Sequence, residues 1–146
     1  MLPYFPVVKL PEPLYNQINM PQVFISYSRK DSEFINRLVS DLQTAGLTIW
    51  YDLSGLKGGT QWESEIQGAM EDCQYFLAVL SPNSLASKWV VREFLYAESI
   101  GLKIIPLLYQ PCKLPMRMLD LQLIDLQGEN YKLNFDRLLK ALDVQS

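Results

Sequence analysis

The feature that most constrains this chain is a repeated alternation between short apolar runs and segments with helical periodicity. The run Tyr75–Leu80 is fully apolar, which is typical of a strand buried on both faces of a parallel sheet. The other predicted strands are Gln22–Tyr27, Leu47–Tyr51, Lys103–Tyr109 and the weaker Leu121–Leu126. Strands that alternate with helices indicate βαβ units and therefore a mainly parallel sheet.

We accordingly predict an α/β fold of the flavodoxin-like, doubly wound kind, with a five-stranded, mainly parallel sheet flanked by helices. Pro106 lies inside the fourth strand and predicts an edge or bulged position there. The predicted centre of the sheet is formed by Phe24, Ile25, Phe76, Leu77, Ala78 and Val79.

Each segment with helical periodicity has a residue that favours a boundary. In chain order these are Asp31 or Ser32 as the first cap and Gly46 as its stop, the capping box Thr60-Gln61-Trp62-Glu63, Ser84 and Ser87 as caps, Gly101 as a stop, and Asn130 or Asn134 as the last cap.

The length of 146 residues and the apolar fraction of 49% fit one domain with a substantial core. Five of the nine prolines fall within the first 21 residues, so residues 1–20 are predicted to be a proline-rich tail or linker. The domain itself is expected to span residues 21–146.

Charge and histidine content exclude several functions. The net charge of −3, with 13 basic residues scattered among 16 acidic ones, argues against nucleic-acid binding. Histidine is absent, which excludes Ser-His and Cys-His catalysis, a histidine general base and histidine metal sites. Any catalysis must therefore use carboxylates, hydroxyls, thiols, lysine or arginine.

We expect neither a targeting segment nor a membrane span in this sequence. Its longest apolar run, Tyr75–Leu80, is far shorter than the roughly 20 residues that span a bilayer. Prolines interrupt the N-terminal segment where a signal peptide would need a continuous apolar helix. The two cysteines, Cys73 and Cys112, suggest neither a disulfide framework nor a zinc site. We therefore expect a cytoplasmic protein with no membrane partner.

A ligand site is expected at the carboxyl ends of the strands, where the polar and glycine-rich loops converge. The loop after the first strand reads Ser26-Tyr27-Ser28-Arg29-Lys30-Asp31, so it lacks the glycines of a dinucleotide-binding Rossmann unit. The third strand ends in Leu80-Ser81 rather than in the aspartate that a phospho-receiver domain needs. Both of these functions are excluded by the residues themselves.

Three motifs, in order, are similar to those of bacterial Toll/interleukin-1 receptor (TIR) domains. The first is Val23-Phe24-Ile25-Ser26-Tyr27-Ser28 with Asp31; the second is Trp50-Tyr51-Asp52 with the glycine-rich loop and Trp62; the third is Ser81-Pro82-Asn83-Ser84 followed by Ser87, Trp89 and Glu93. The resemblance covers residues 22 to about 143.

The resemblance implies an enzyme that cleaves NAD+ between nicotinamide and ribose, with ADP-ribose or a cyclic isomer as the product. Glu93 falls on the position of the family's catalytic glutamate. A carboxylate suits this reaction because loss of nicotinamide leaves a ribose with oxocarbenium character. NAD+ would be the substrate, and no further cofactor or metal is implied. Trp89 precedes Glu93 by one helical turn, so both are expected on one face.

The family resemblance also implies substrate-binding residues and partners. The implied substrate-binding residues are Tyr27, Ser28, Arg29, Asp31, Asp52, Leu53, Lys57, Trp62, Ser84 and Trp89. The implied partners are other TIR domains, through homotypic assembly that activates the enzyme, and a regulatory domain or protein outside this chain. The setting would be a bacterial immune or signalling system. The alternative is a TIR adaptor that acts only by binding other TIR domains.

Overall fold

The protein is described by a computed structural model that covers residues 22–51 and 59–144, with residues 59–62 described by their backbone alone. Within these residues, five strands form one sheet in which every neighbouring pair is parallel. The spatial order is β2-β1-β3-β4-β5. The strands are β1 (Gln22–Ser26), β2 (Thr48–Trp50), β3 (Tyr75–Leu80), β4 (Lys103–Leu108) and β5 (Ile124–Asp125). The predicted flavodoxin-like fold is confirmed.

Within the same described residues, five α-helices lie between or after the strands. They are α1 (Ser32–Thr44), α2 (Gly59–Glu71), the single-turn α3 (Pro82–Leu85), α4 (Lys88–Ser99) and α5 (Asn130–Ala141). Two short 3₁₀ turns, Arg29–Asp31 and Met116–Met118, lie in the connections after β1 and β4. None of the helices within the described residues has both the length and the apolar character needed to cross a bilayer.

The sheet separates two apolar layers, because successive side chains of a strand point to opposite faces. Val23 and Ile25 of β1 pack with α1 and α5, whereas Phe24 packs with α2 and α4. All six residues predicted for the centre of the sheet are at most 3% exposed. The position of a residue along β1 therefore determines which face of the sheet its side chain occupies.

Pro106 occupies an inner strand, so the predicted edge position is wrong. Strand β4 lies between β3 and β5, and Pro106 is paired with Ala78 on the β3 side. On the other side, the two-residue β5 pairs with Leu107 and Leu108 only. Pro106 thus lies beyond the short β5 ladder, where its missing N–H costs no hydrogen bond to that strand.

Several predicted helix boundaries hold. Gly46 follows the end of α1 with φ of 97°, the left-handed conformation that glycine adopts without strain. Ser87 caps α4 by accepting a 3.2 Å hydrogen bond from the Val90 N–H. The stop at Gly101 also agrees with the end of α4 at Ser99.

Other predicted helix caps are wrong. Helix α2 begins at Gly59, so Thr60 already lies inside it. Asp31 stands at the N-cap position of α1 but makes no side-chain capping bond. Asn130 and Asn134 lie inside α5, whose N-cap position is Glu129, and their amides donate to the Asp125 carboxylate and backbone carbonyl. Only for Asp31 do partners distant in sequence replace the predicted cap.

The strand order places a crevice between β1 and β3. The chain leaves β1 toward β2 on one side and leaves β3 toward β4 on the other, so the connections diverge above the carboxyl ends of these two strands. Ligands in open α/β sheets bind at such a switch point.

Candidate active site

Glu93 lies on α4 and points its carboxylate at the end of β1. Its side chain is buried, with 7% exposure, and the Ser26 hydroxyl donates a 2.6 Å hydrogen bond to Glu93 Oε1. Ser26 is the last residue of β1 and lies two positions after Phe24, on the face of the sheet that α4 covers. The packing of α4 on the sheet therefore delivers this carboxylate to the switch point.

A narrow cleft between α2 and α4 leads to Glu93. Its volume is about 40 Å³, and Trp89 and Glu93 both line it, as their spacing of one helical turn predicts. The lining residues are Glu63, Ile66, Gln67, Met70, Trp89, Arg92, Glu93 and Tyr96. The cleft thus combines an aromatic ring, a cationic side chain and a buried carboxylate on one helix.

A hydrogen bond between Tyr96 and Glu71 joins the two helices that form this cleft. The Tyr96 hydroxyl on α4 donates to Glu71 Oε1 on α2 over 2.7 Å. This bond raises the pKa of Tyr96, because it is formed by the protonated hydroxyl. The contact fixes the spacing of the helices at one end of the cleft.

A second buried carboxylate, that of Asp31, connects the loops after β1 and β3. Asp31 is 3% exposed; Ser81 Oγ donates to its Oδ2, and Asn83 Nδ2 donates to its Oδ1 over 2.9 Å. Ser81 also forms a reciprocal capping box with Ser84 at the start of α3. Ser84 thus belongs to a cap as predicted, although Ser81 is the N-cap residue.

The remaining described residues of the first motif lie on the 3₁₀ turn and just before it. Ser28 caps this turn by accepting a 3.3 Å hydrogen bond from the Lys30 N–H, and Arg29 is exposed. The half-buried Tyr27 ring lies 6.3 Å from the ring of Tyr51, with the two planes tilted by 50°. These residues border the crevice from the β1 side.

Four of the predicted substrate-binding residues are not placed. Asp52, Leu53 and Lys57 lie outside the described residues, and Trp62 lies in α2 where only the backbone is described. The structure therefore brings together Glu93 and Trp89 in the cleft, and Asp31 and Ser84 in the adjacent hydrogen-bonded cluster.

Sequence reasoning missed three side chains of this site. Ser26 was available as a polar residue at the end of an apolar strand, on the α4 face by its parity with Phe24. Arg92 directly precedes Glu93, and Tyr96 follows one turn later, so helical spacing alone could have placed both in the cleft.

Comparison with known proteins decides the family. The family model described as "TIR domain" matches residues 23–139, which include β1, the Asp31 cluster and Glu93. The chain belongs to the TIR domain family. The crystal structure of the TIR domain of the Toll-related receptor TRR-2 from Hydra magnipapillata is similar, with a TM-score of 0.72 and 26% sequence identity. The match covers 83% of this chain and 97% of that one.

Two bacterial relatives of this TIR domain have names that state an activity. The NAD(+) hydrolase TcpC of Escherichia coli O6:H1 is 34% identical over 71 residues, which are 48% of this chain and 23% of that protein. The 2' cyclic ADP-D-ribose synthase AbTIR of Acinetobacter baumannii is 32% identical over 72 residues, covering 49% and 27% respectively. The matched part of this chain therefore spans about a quarter of the length of these relatives.

Proposed function

We propose that this TIR domain cleaves NAD+ at the bond between nicotinamide and ribose, with Glu93 as the catalytic residue. The observation that carries the proposal is the buried Glu93 carboxylate, held by Ser26 at the switch point and flanked by Trp89 in one cleft. Membership of the TIR family and relatives named as NAD(+) hydrolase and cyclic ADP-ribose synthase support the same reaction.

The proposed chemistry needs only a negative charge placed near the ribose. When the C1′–N bond breaks, its electron pair goes to the pyridinium ring, so nicotinamide leaves neutral without protonation by an acid. The positive charge that develops on the ribose is stabilised by the Glu93 carboxylate. Water then adds at C1′ and loses a proton to give ADP-ribose; addition of a hydroxyl of the same molecule gives a cyclic isomer.

We assign the neighbouring residues supporting roles in this reaction. Trp89 would pack against the ribose and exclude water, while Tyr27, Ser28 and Arg29 would contact the rest of the dinucleotide from the β1 side of the crevice. Asp31 and Ser84 would act by holding the loop after β3 in place. Contacts from Asp52, Leu53, Lys57 and Trp62 remain part of the proposal on the strength of the family resemblance alone.

The size of the cleft makes opening a part of the proposed mechanism. The cleft beside Glu93 is narrow, with a volume of about 40 Å³, and the helices α2 and α4 that form it are joined by Tyr96 and Glu71. We therefore propose that these helices separate as substrate reaches Glu93. Because TIR domains assemble with other TIR domains, we propose that a neighbouring copy stabilises the open cleft.

The decisive experiment is incubation of the purified domain with NAD+, with products identified by chromatography. We expect nicotinamide together with ADP-ribose or a cyclic isomer. Glu93→Gln keeps the shape of the side chain but removes its charge, and we expect it to lower turnover by a hundredfold or more. The exposed Glu129 makes no side-chain capping bond, so Glu129→Gln is the matched control and should retain full activity.

Assembly is tested by measuring NAD+ turnover per mole of protein over a wide concentration range. Activation by neighbouring copies predicts a rise steeper than linear, and Lys57→Glu in the glycine-rich loop should flatten it. Full activity in the dilute monomer would contradict the assembly step while leaving the catalytic role of Glu93 intact. Absence of cleavage even after forced clustering would instead favour the adaptor function. Cytoplasmic location and a role in bacterial immunity or signalling remain parts of the proposal.

A further inference from the structure

A second cavity lies on another face of α4 from the cleft of Glu93. Its volume is about 430 Å³, within the range of about 300 to 1,000 Å³ that is usual for small-molecule sites. From α4 it is lined by Val90, Val91, Phe94 and Leu95, whereas Trp89, Arg92, Glu93 and Tyr96 line the cleft. The same helix therefore separates the two spaces.

The wall of this cavity is almost entirely apolar and is partly open to water. Strand β3 contributes Phe76, Ala78 and Leu80 as a buried floor. At the mouth, Val91 and Leu95 are 43% and 42% exposed, and Met116 is 85% exposed. Water in contact with such a surface is displaced favourably by an apolar molecule of matching size.

The charged residues that line the cavity, among those the structure describes, are both cationic. They are Lys113 and Arg117, although the whole chain carries a net charge of −3. Arg117 Nη1 already lies 3.3 Å from Glu98 Oε1 in an exposed ion pair. Lys113 makes no ion pair within residues 22–51 and 59–144. Lys113 is thus a lining cation that a ligand can reach without displacing an ion-pair partner among these residues.

We propose that this cavity binds a medium-chain fatty acid, with the alkyl chain in the cavity and the carboxylate at Lys113. An apolar wall with one available cation at its mouth matches a molecule with an unbranched apolar body and a single terminal negative charge. The site is separate from the Glu93 cleft, and the proposal does not depend on NAD+ cleavage.

Titration calorimetry of the full chain with hexanoate, octanoate, decanoate and dodecanoate tests the proposal. Burial of each further methylene group should tighten binding about fourfold until the cavity is filled, after which the affinity should level off. An affinity that does not change with chain length, or no saturable binding by any of the four acids, would overturn the proposal.

Variants at the mouth of the cavity test the charge. Lys113→Ala should weaken decanoate binding about tenfold, whereas Lys132→Ala, at an exposed lysine of α5, should bind like the parent. Leu95→Glu places a carboxylate at the exposed mouth, so it should fold normally and lose binding. Unchanged binding by Lys113→Ala or Leu95→Glu would overturn the proposal. The proposal would also be overturned if the protein forms a dimer that Leu95→Glu dissociates but decanoate does not. A second copy of the chain would then occupy this surface.

Discussion

The Ser26 hydroxyl and the Glu93 carboxylate, 67 residues apart in the chain, are joined by a 2.6 Å hydrogen bond at the carboxyl end of β1. Both side chains are buried, and each comes from an element whose position depends on the packing of α4 against β1 and β3. A hydrogen bond to a carboxylate is stronger than one between neutral groups, and it restrains the orientation of the carboxylate. The orientation of the proposed catalytic group is therefore a consequence of the fold.

We predict that Ser26→Ala lowers the turnover of NAD+ about tenfold or more, because it removes the hydroxyl that orients Glu93. The prediction depends on the proposed function. Ser26 would be a positioning residue, so kcat should fall while KM changes little. Steady-state kinetics of the assembled protein measures both constants.

Ser40→Ala is the matched control, since Ser40 is exposed on α1, and it should leave both constants unchanged. If Ser26→Ala raises KM at constant kcat, or matches the parent in both, the positioning role is wrong. Thermal unfolding of each variant distinguishes a local effect on Glu93 from a general loss of stability.

Asp31 is predicted to contribute to stability through the loop after β3. Asp31→Asn replaces one of the two acceptor oxygens by an NH2 group, which cannot accept, so either Ser81 or Asn83 loses its acceptor. We expect the free energy of unfolding to fall by about 1 to 3 kcal/mol, measured by urea denaturation. Asp120→Asn, at an exposed aspartate, should change it little; equal values for the two variants would contradict the assigned role.

The two cysteines are predicted to differ in reactivity. Burial, with a smaller effect of Asp72, raises the pKa of Cys73 to about 12, and burial also raises the pKa of the half-buried Cys112. Because iodoacetamide reacts with the thiolate, Cys112 should be alkylated first at pH 8, and Cys73 only when the chain unfolds. In Cys112→Ser, which leaves Cys73 as the only thiol, mass spectrometry should show that alkylation follows the urea unfolding curve. Rapid alkylation without urea would show that Cys73 is accessible in the folded protein.

Most of the fold was predictable because its signals are local. The fully apolar run Tyr75–Leu80 indicated a central strand, and the parity of Val23 and Phe24 assigns each to one side of the sheet. The pairing of Glu93 with Trp89 in one cleft also followed from helical spacing. These features depend only on residues close together in the sequence.

The parts that could not be predicted depend on partners far along the chain. Asp31 looked like a helix cap, but its carboxylate is taken by Ser81 and Asn83, about fifty residues later. Pro106 looked like an edge residue, yet the shortness of β5 lets it lie in an inner strand. In each case a local propensity was correct for the isolated segment and was overridden by tertiary contacts.

Asp125 is predicted to make the stability of the protein depend on pH in the acid range. Its carboxylate accepts 2.9 Å hydrogen bonds from the Gln127 N–H and from Asn130 Nδ2, and one of 3.0 Å from Gln127 Nε2. The bond from the Gln127 N–H is the main cause that lowers the pKa of Asp125, and the side-chain bonds from Gln127 and Asn130 add to it. A pKa that is lower in the folded than in the unfolded chain stabilises the fold above the unfolded value of about 4. This contribution is lost as the pH falls through the lower, folded value of the Asp125 pKa.

The free energy of unfolding, measured by urea denaturation from pH 6 down to pH 3, should therefore decrease less steeply in Asp125→Asn than in the parent. Asp136→Asn, at an exposed aspartate of α5, should keep the slope of the parent. Parallel curves for Asp125→Asn and the parent would mean that the carboxylate titrates alike in both states and that these three bonds do not lower its pKa.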